Sequence, residues 1–175
     1  MVLRSTLTVS PIGDLILSAR SDELVACQFA DHTRTDNPYV GVWVSPADSV
    51  LSNAAEELAA YFEGELRTFA VPHNVSGPAF SERVWRALEA IPYGETVSYG
   101  DIARKLGKPG AARAVGSAVG RNPLCIVLPC HRVIGADGSI TGFTGGVERK
   151  RALLQLEYRA THAPHTRSAD LLSGL

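Results

Sequence analysis

The sequence predicts a mixed α/β (α+β) protein, a small N-terminal β-sheet-plus-helix domain joined to a mainly helical C-terminal domain. Three observations carry that expectation. Short β-branched segments fill the first third, helical spacing of apolar residues begins after residue 45, and the punctuation changes character near Pro78. At 175 residues, with 45% hydrophobic and 20% charged side chains, the chain has room for a core without disulfide staples. Collagen, coiled coil and disorder are excluded.

Taken in order, Leu3 to Val9, Asp14 to Ala19 and Leu24 to Phe29 read as strands, separated by Ser10-Pro11-Ile12-Gly13 and Ser21-Asp22. A further strand is expected around Gly41 to Val44. Ser45 suits an N-cap with Pro46 at the first helical position, and Leu51, Ala54, Ala55, Leu58, Tyr61 and Phe62 follow at helical spacing up to Gly64. Thr68 to Val71 reads as another strand. The division is expected as residues 1–77 for the scaffold, 78–160 for the second domain and 161–175 for a flexible tail.

Beyond Pro78, Phe80, Val84, Leu88 and Ile91 share one helix face that stops at Pro92-Tyr93-Gly94. Ser98 caps a short helix closed by Gly107, and a second helix runs from Ala111 to about Gly120. This pair has the sequence form of a helix-turn-helix, and a plain αα-hairpin has the same spacing. Composition favours the former: Ala111, Ala112, Ala114 and Gly116 make the second helix small-faced, and Arg113, Arg121 and Arg132 stand unopposed by any acid between residues 111 and 134. Leu124 to Leu128 reads as a buried strand. Trp43 and Trp85 read as packing residues, and Arg149-Lys150-Arg151 as part of a helix surface.

The net charge of -1 hides a split. Residues 1 to 78 balance at -6 and residues 79 to 175 at +5, so the second part is suited to an anionic partner. Three cysteines, Cys27, Cys125 and Cys130, do not make a disulfide framework, and the N-terminus lacks the form of a signal peptide. No run is long enough for a membrane span, and a cytoplasmic location is expected.

Chemistry concentrates at Pro129-Cys130-His131-Arg132-Val133. A thiolate nucleophile needs a base or cation and a fixed approach; His131 offers the base and Pro129 stiffens the chain. Adjacent strand positions point apart, so a turn or a bridging water must bring Cys130 and His131 into register. A buried structural Cys beside a surface His is the alternative reading of the pair taken alone. Cys27 and Cys125 read as buried structural thiols.

The PCHRV segment resembles the active-site signature of the O6-alkylguanine-DNA alkyltransferases, also called methylated-DNA–protein-cysteine methyltransferases. Ile91 to Tyr99, Ala111 to Gly116, Arg121-Asn122-Pro123, Ser10 to Gly13 and Tyr61 to Gly64 resemble further family blocks in the same order. The resemblance implies a winged-helix-like second domain. It also implies irreversible transfer of an alkyl group from O6-alkylguanine, with O4-alkylthymine as a further substrate, in flipped-out DNA to Cys130. His131 would take the thiol proton through a water, oriented by Glu157. Tyr99 would hydrogen-bond the purine, and Asn122 would hold the helix-turn-helix against the active-site segment. Arg113 would fill the base stack, with Ala111, Ala112, Ala114, Gly116, Tyr99, Arg121 and Arg132 at the DNA and the minor groove as the point of entry. Gly142, Phe143 and Thr144, with Val133 and Pro129, would line the substrate pocket. Phe143 stands where many members have Tyr.

No cofactor is expected, and no metal, since Arg20 and Val25 occupy positions that supply zinc ligands in some relatives. The expected partner is double-stranded DNA, met by a monomer, with cooperative loading left open. A non-enzymatic lesion-binding protein of the alkyltransferase-like type is the rival function; those proteins lack the nucleophilic Cys that Cys130 supplies here.

Overall fold

A computed structural model describes residues 2–32, 37–45 and 48–162. Strands β1 (Leu3–Thr8), β2 (Leu15–Arg20) and β3 (Glu23–Phe29) form an antiparallel meander, and the two-residue β4 (Val42–Trp43) adds in parallel to β1, giving the order β3-β2-β1-β4. Their alternating apolar residues bury Leu15, Leu17, Ala19 and Leu24 against helix α1 (Ser49–Phe62), which contributes Leu51, Ala54, Leu58 and Tyr61. Asp48 is the N-cap of α1, accepting from Leu51 N and pairing with Arg4, so the helix begins later than Ser45 suggests. Pro46 lies outside the described residues. Trp43, expected to pack, is 57% exposed on the edge strand.

Thr68 to Val71 is not a strand. Glu57 on α1 accepts hydrogen bonds from the amides of Ala70 and Val71, at 2.8 and 3.1 Å, and these side-chain bonds replace a ladder. Just beyond this segment a bridge pairs His73 with Leu24 of β3.

The second half contains α2 (Ala79–Glu89), β5 (Val97–Ser98), α3 (Tyr99–Lys105), α4 (Ala112–Gly120), β6 (Val133–Ile134) and α5 (Val147–His162). Ser98 and Asp101 form the capping box that starts α3, and Gly107, at φ +72°, takes the left-handed conformation of the turn before α4. Trp85 does pack, and its indole donates to Ala118 O at 2.8 Å, locking α2 to α4. β5 and β6 pair in parallel, Val97 with Val133. Thr161 and His162, placed in the tail by the sequence, continue α5; residues 163–175 lie outside the described residues.

The halves meet at the edge of β3. Cys27 N donates to Pro123 O and Cys125 N to Cys27 O, each at 2.9 Å, so the segment after α4 begins as an extension of the N-terminal sheet. One apolar core runs through both halves. Among the described residues, no helix is long and apolar enough to cross a membrane.

Candidate active site

Leu124 to Leu128 starts toward a strand and turns instead. Asn122 explains why: its amide donates to Leu128 O at 2.9 Å and Leu124 O at 3.3 Å, and its carbonyl oxygen accepts from Leu124 N at 3.0 Å. These bonds satisfy buried backbone groups that a ladder would otherwise pair. Ile126 turns the corner at φ +73°. Cys130-His131-Arg132 then form a single 3-10 turn, with Cys130 N donating to Leu128 O at 2.7 Å. The turn that the Cys-His pair requires is therefore supplied by backbone.

His131 and Glu157 are fully buried. Glu157 Oε1 lies 2.7 Å from His131 Nε2 and accepts from Tyr61 OH at 2.7 Å, while Oε2 accepts from Gly94 N at 2.9 Å. Arg132 donates Nε to Oε2 at 2.9 Å and Nη2 to Oε1 at 3.0 Å, and its Nη1 reaches Ile91 O. Although burial opposes its charge, these donors hold the Glu157 carboxyl at about 2, below its usual 4.5, while burial pushes the His131 imidazole down. An ionised Glu157 accepts only, which puts the imidazole proton on Nε2 and leaves Nδ1 a bare acceptor. Nδ1 is buried without a hydrogen-bond partner in the protein.

Arg132 is thus not on a DNA-facing surface. It is buried against Glu157 and Ile91 O, and its guanidinium lies 5.5 Å from the centre of the Tyr93 ring. The sequence could not separate it from Arg113 or Arg121, because all three lie in one acid-free stretch. Arg113 and Ala114 are exposed on α4, Ala111, Ala112 and Gly116 half-buried, and Arg121 exposed and bonded to Ser117 Oγ.

Lys150 also departs from expectation. It is fully buried, donating Nζ to Val133 O, to Thr141 O at 2.7 Å and to Tyr99 OH at 3.5 Å; burial lowers its ammonium to about 8. Arg149 lies partly buried, bound to Ile12 O, Gly145 O and Asp31. Charge alone hid both, since a basic triplet on a helix normally faces solvent. Tyr61 was equally hidden, being 96 residues from Glu157.

Tyr99 opens α3 and donates to Thr141 O at 3.1 Å. The following loop is held close: a Cβ on Gly145 would lie 2.5 Å from the Phe29 ring and 2.8 Å from Phe143, so only glycine fits. Thr144 Oγ1 donates to Gly120 O, tying the loop to α4, and Gly142 takes φ +60°. Val133 is fully buried, and Pro129 lines a cleft with Arg67, Tyr93 and Arg132. A cavity of about 480 Å³ opens beside the turn, lined by Phe29, Tyr39, Trp85, Asn122, Cys125 and Thr144 among others.

The Cys130 thiol is nearly buried, and its ionisation is pulled below the ordinary range by the polar side chains of Cys125 and Asn122 and by the Lys150 charge. Together these features define a class: a helix-turn-helix protein with a buried, readily ionised cysteine in the turn that follows its second helix. The profile of the 6-O-methylguanine DNA methyltransferase ribonuclease-like domain matches residues 3–74 and that of its DNA-binding domain residues 79–159. The chain belongs to the 6-O-methylguanine DNA methyltransferase family. It is 49% identical over 162 residues to a methylated-DNA–protein-cysteine methyltransferase of Mycolicibacterium paratuberculosis, covering 89% of this chain and 91% of that one. The Mycobacterium tuberculosis protein of that name is 51% identical over 148 residues, covering 85% and 88%. The crystal structure of M. tuberculosis O6-methylguanine methyltransferase superposes with a TM-score of 0.84 at 46% identity, covering 93% and 96%. That of M. tuberculosis OGT in complex with DNA gives 0.80 at 47%, covering 90% and 93%.

Proposed function

We propose that the protein repairs DNA by direct reversal, moving the alkyl group of an O6-alkylguanine onto Cys130 in a single irreversible event. The observation that carries this reading is the buried Cys130–His131–Glu157 arrangement, in which a charged carboxylate fixes the imidazole with its free nitrogen as a base. The relatives' names supply the substrate class, and the DNA complex of a structural neighbour supports duplex DNA as the partner.

In this mechanism the Cys130 sulfur forms a bond to the alkyl carbon as the carbon–O6 bond breaks, and the electron pair passes to the guanine. The thiol proton goes to His131 Nδ1 through a water, and Glu157 stabilises the imidazolium. Tyr99, with Lys150 behind its hydroxyl, hydrogen-bonds the purine as negative charge develops there. Asn122 sets the position of the turn. The damaged nucleotide must leave the stack to meet a buried thiol. Arg113, exposed on α4, takes its place, and the small residues of that helix allow close approach in the minor groove. A thioether has no good leaving group, so each molecule acts once.

Incubation with a duplex containing O6-methylguanine, followed by intact mass measurement, tests the reading. A gain of one methylene that is absent in Cys130→Ser is the expected result. Tight binding at unchanged mass would replace transfer with lesion flagging.

A further inference from the structure

Arg149 stands in the first turn of α5, yet its bonds reach the N-terminal half. Nε donates to Ile12 O, in the turn between β1 and β2, at 2.7 Å, and Nη1 and Nη2 grip the two oxygens of Asp31 at 3.0 and 2.7 Å. The guanidinium also lies 4.3 Å from the centre of the buried Phe29 ring. A Cβ on Gly13 would lie 2.5 Å from Nη2, so the β1–β2 turn closes on the guanidinium as far as glycine allows. The same side chain holds the loop that follows Thr141. Nη1 donates to Gly145 O at 3.1 Å, and the Phe29 ring beneath the guanidinium meets Phe143 edge-on, with centroids 6.2 Å apart. At its other end the loop lies against Tyr99, whose hydroxyl donates to Thr141 O and would stand 3.3 Å from a Cβ on Gly142. Thr144 and Gly145 border the cavity of about 480 Å³, so open space lies beside them.

Resting on the reading of residues 142–144 as the loop beside the substrate, we infer that Arg149 is a positioning residue that sets this loop from the N-terminal half and thereby limits the size of the O6-substituent that Cys130 receives. The physical case is geometric. A carboxylate that takes both terminal nitrogens fixes the plane of a guanidinium, and an aromatic ring against its face fixes the remaining direction. Asp31 and Phe29 supply these two restraints, so the nitrogen that holds Gly145 O is anchored to the end of β3. Phe29 adds a second hold on the loop through Phe143. Held against Tyr99, the loop leaves room for a small substituent and presses it toward the thiol. Released toward the cavity, it admits a larger one and no longer orients the small one.

Two readouts are needed, because losing a multiply bonded arginine also costs stability. Hydrogen–deuterium exchange without DNA reads the loop: in Arg149→Met the peptide spanning residues 141–146 is expected to exchange about tenfold faster, while the peptide of α2 keeps its rate. Transfer from duplexes carrying O6-methylguanine or O6-benzylguanine reads size selection, and the ratio of methyl to benzyl rates is expected to fall about tenfold. Arg149→Lys, which keeps the charge without the fork, should lie between. Arg151→Met, exposed on the same helix, is expected to leave both readouts unchanged. Unchanged loop exchange in Arg149→Met, no relative gain for benzyl over methyl when both rates drop, or an equal shift in Arg151→Met overturns the inference. If Arg149→Met does not fold, Asp31→Ala, at an exposed position, replaces it with shifts in the same direction and of smaller size. Wild-type protein that transfers from neither duplex would defeat the repair reading, and the exchange rates would still decide whether Arg149 holds the loop.

Discussion

The two halves of the molecule bury different kinds of polar group. In residues 3–74 they are mainly hydroxyls: Ser5, Thr6 and Ser18, with Ser5 and Ser18 bonded to each other at 2.7 Å. In residues 79–159 one hydroxyl, Ser81, is joined by Asn122, His131, Arg132, Lys150 and Glu157. A buried hydroxyl pair is nearly neutral in cost, whereas buried charges must recover a large desolvation penalty through several good hydrogen bonds. The difference teaches that the first half is built for stability and the second holds charge out of water for chemistry.

Removing the charge that the second half protects should have the largest effect. Glu157→Gln leaves Arg132 buried without its counter-ion and removes the force that keeps Nδ1 of His131 bare. We expect a loss of about 3–5 kcal/mol in urea unfolding and severely slowed alkyl transfer. The sign of its pH dependence follows from the lowered carboxyl. With a folded value of about 2 against the usual 4.5, the Glu157 contribution is complete above 4.5 and fades as pH falls from there through 2. The stability gap between wild type and variant should close over that window; a gap that closes at higher pH would contradict the assignment.

A second substitution asks whether the comparison follows sequence position or contact. Tyr61 belongs to the first half and serves the second. Tyr61→Phe removes one donor to a charged acceptor, with an expected loss of about 1.5–3 kcal/mol, against about 1 kcal/mol for Ser18→Ala. Equal losses in chemical denaturation would erase the distinction. The smallest stability effect is expected on the exposed helix face: Arg113→Ala should leave the unfolding free energy within about 0.5 kcal/mol of wild type while weakening duplex binding and reducing its salt slope by about one.

Much of this fold was legible because local rules governed it. The meander strands alternate apolar residues, and Ser98 with Asp101 announces the start of α3. The segments misread were those where a distant side chain overrode local preference. Leu124 to Leu128 has strand composition, yet the Asn122 amide closes it into a turn; Thr68 to Val71 is captured by Glu57. At the site, Cys130 and His131 stood out by their chemistry and Glu157 and Tyr99 by resemblance to family positions, and His131 is bonded to Glu157. Lys150, Tyr61 and the inward course of Arg132 were invisible because each depends on what lies across the core.

The bond from Tyr61 to Glu157 spans 96 residues, and the bonds of Cys27 with Pro123 and Cys125 span as many or more. Such non-local contacts close late in folding because their loops carry the largest entropic cost. A protein that acts once has no second chance if its thiol reacts on a half-formed chain. Here Tyr61, one donor to the carboxylate that readies the base, and the sheet edge that seats the turn both come from the first half, so the reagent is complete only when the two halves are docked.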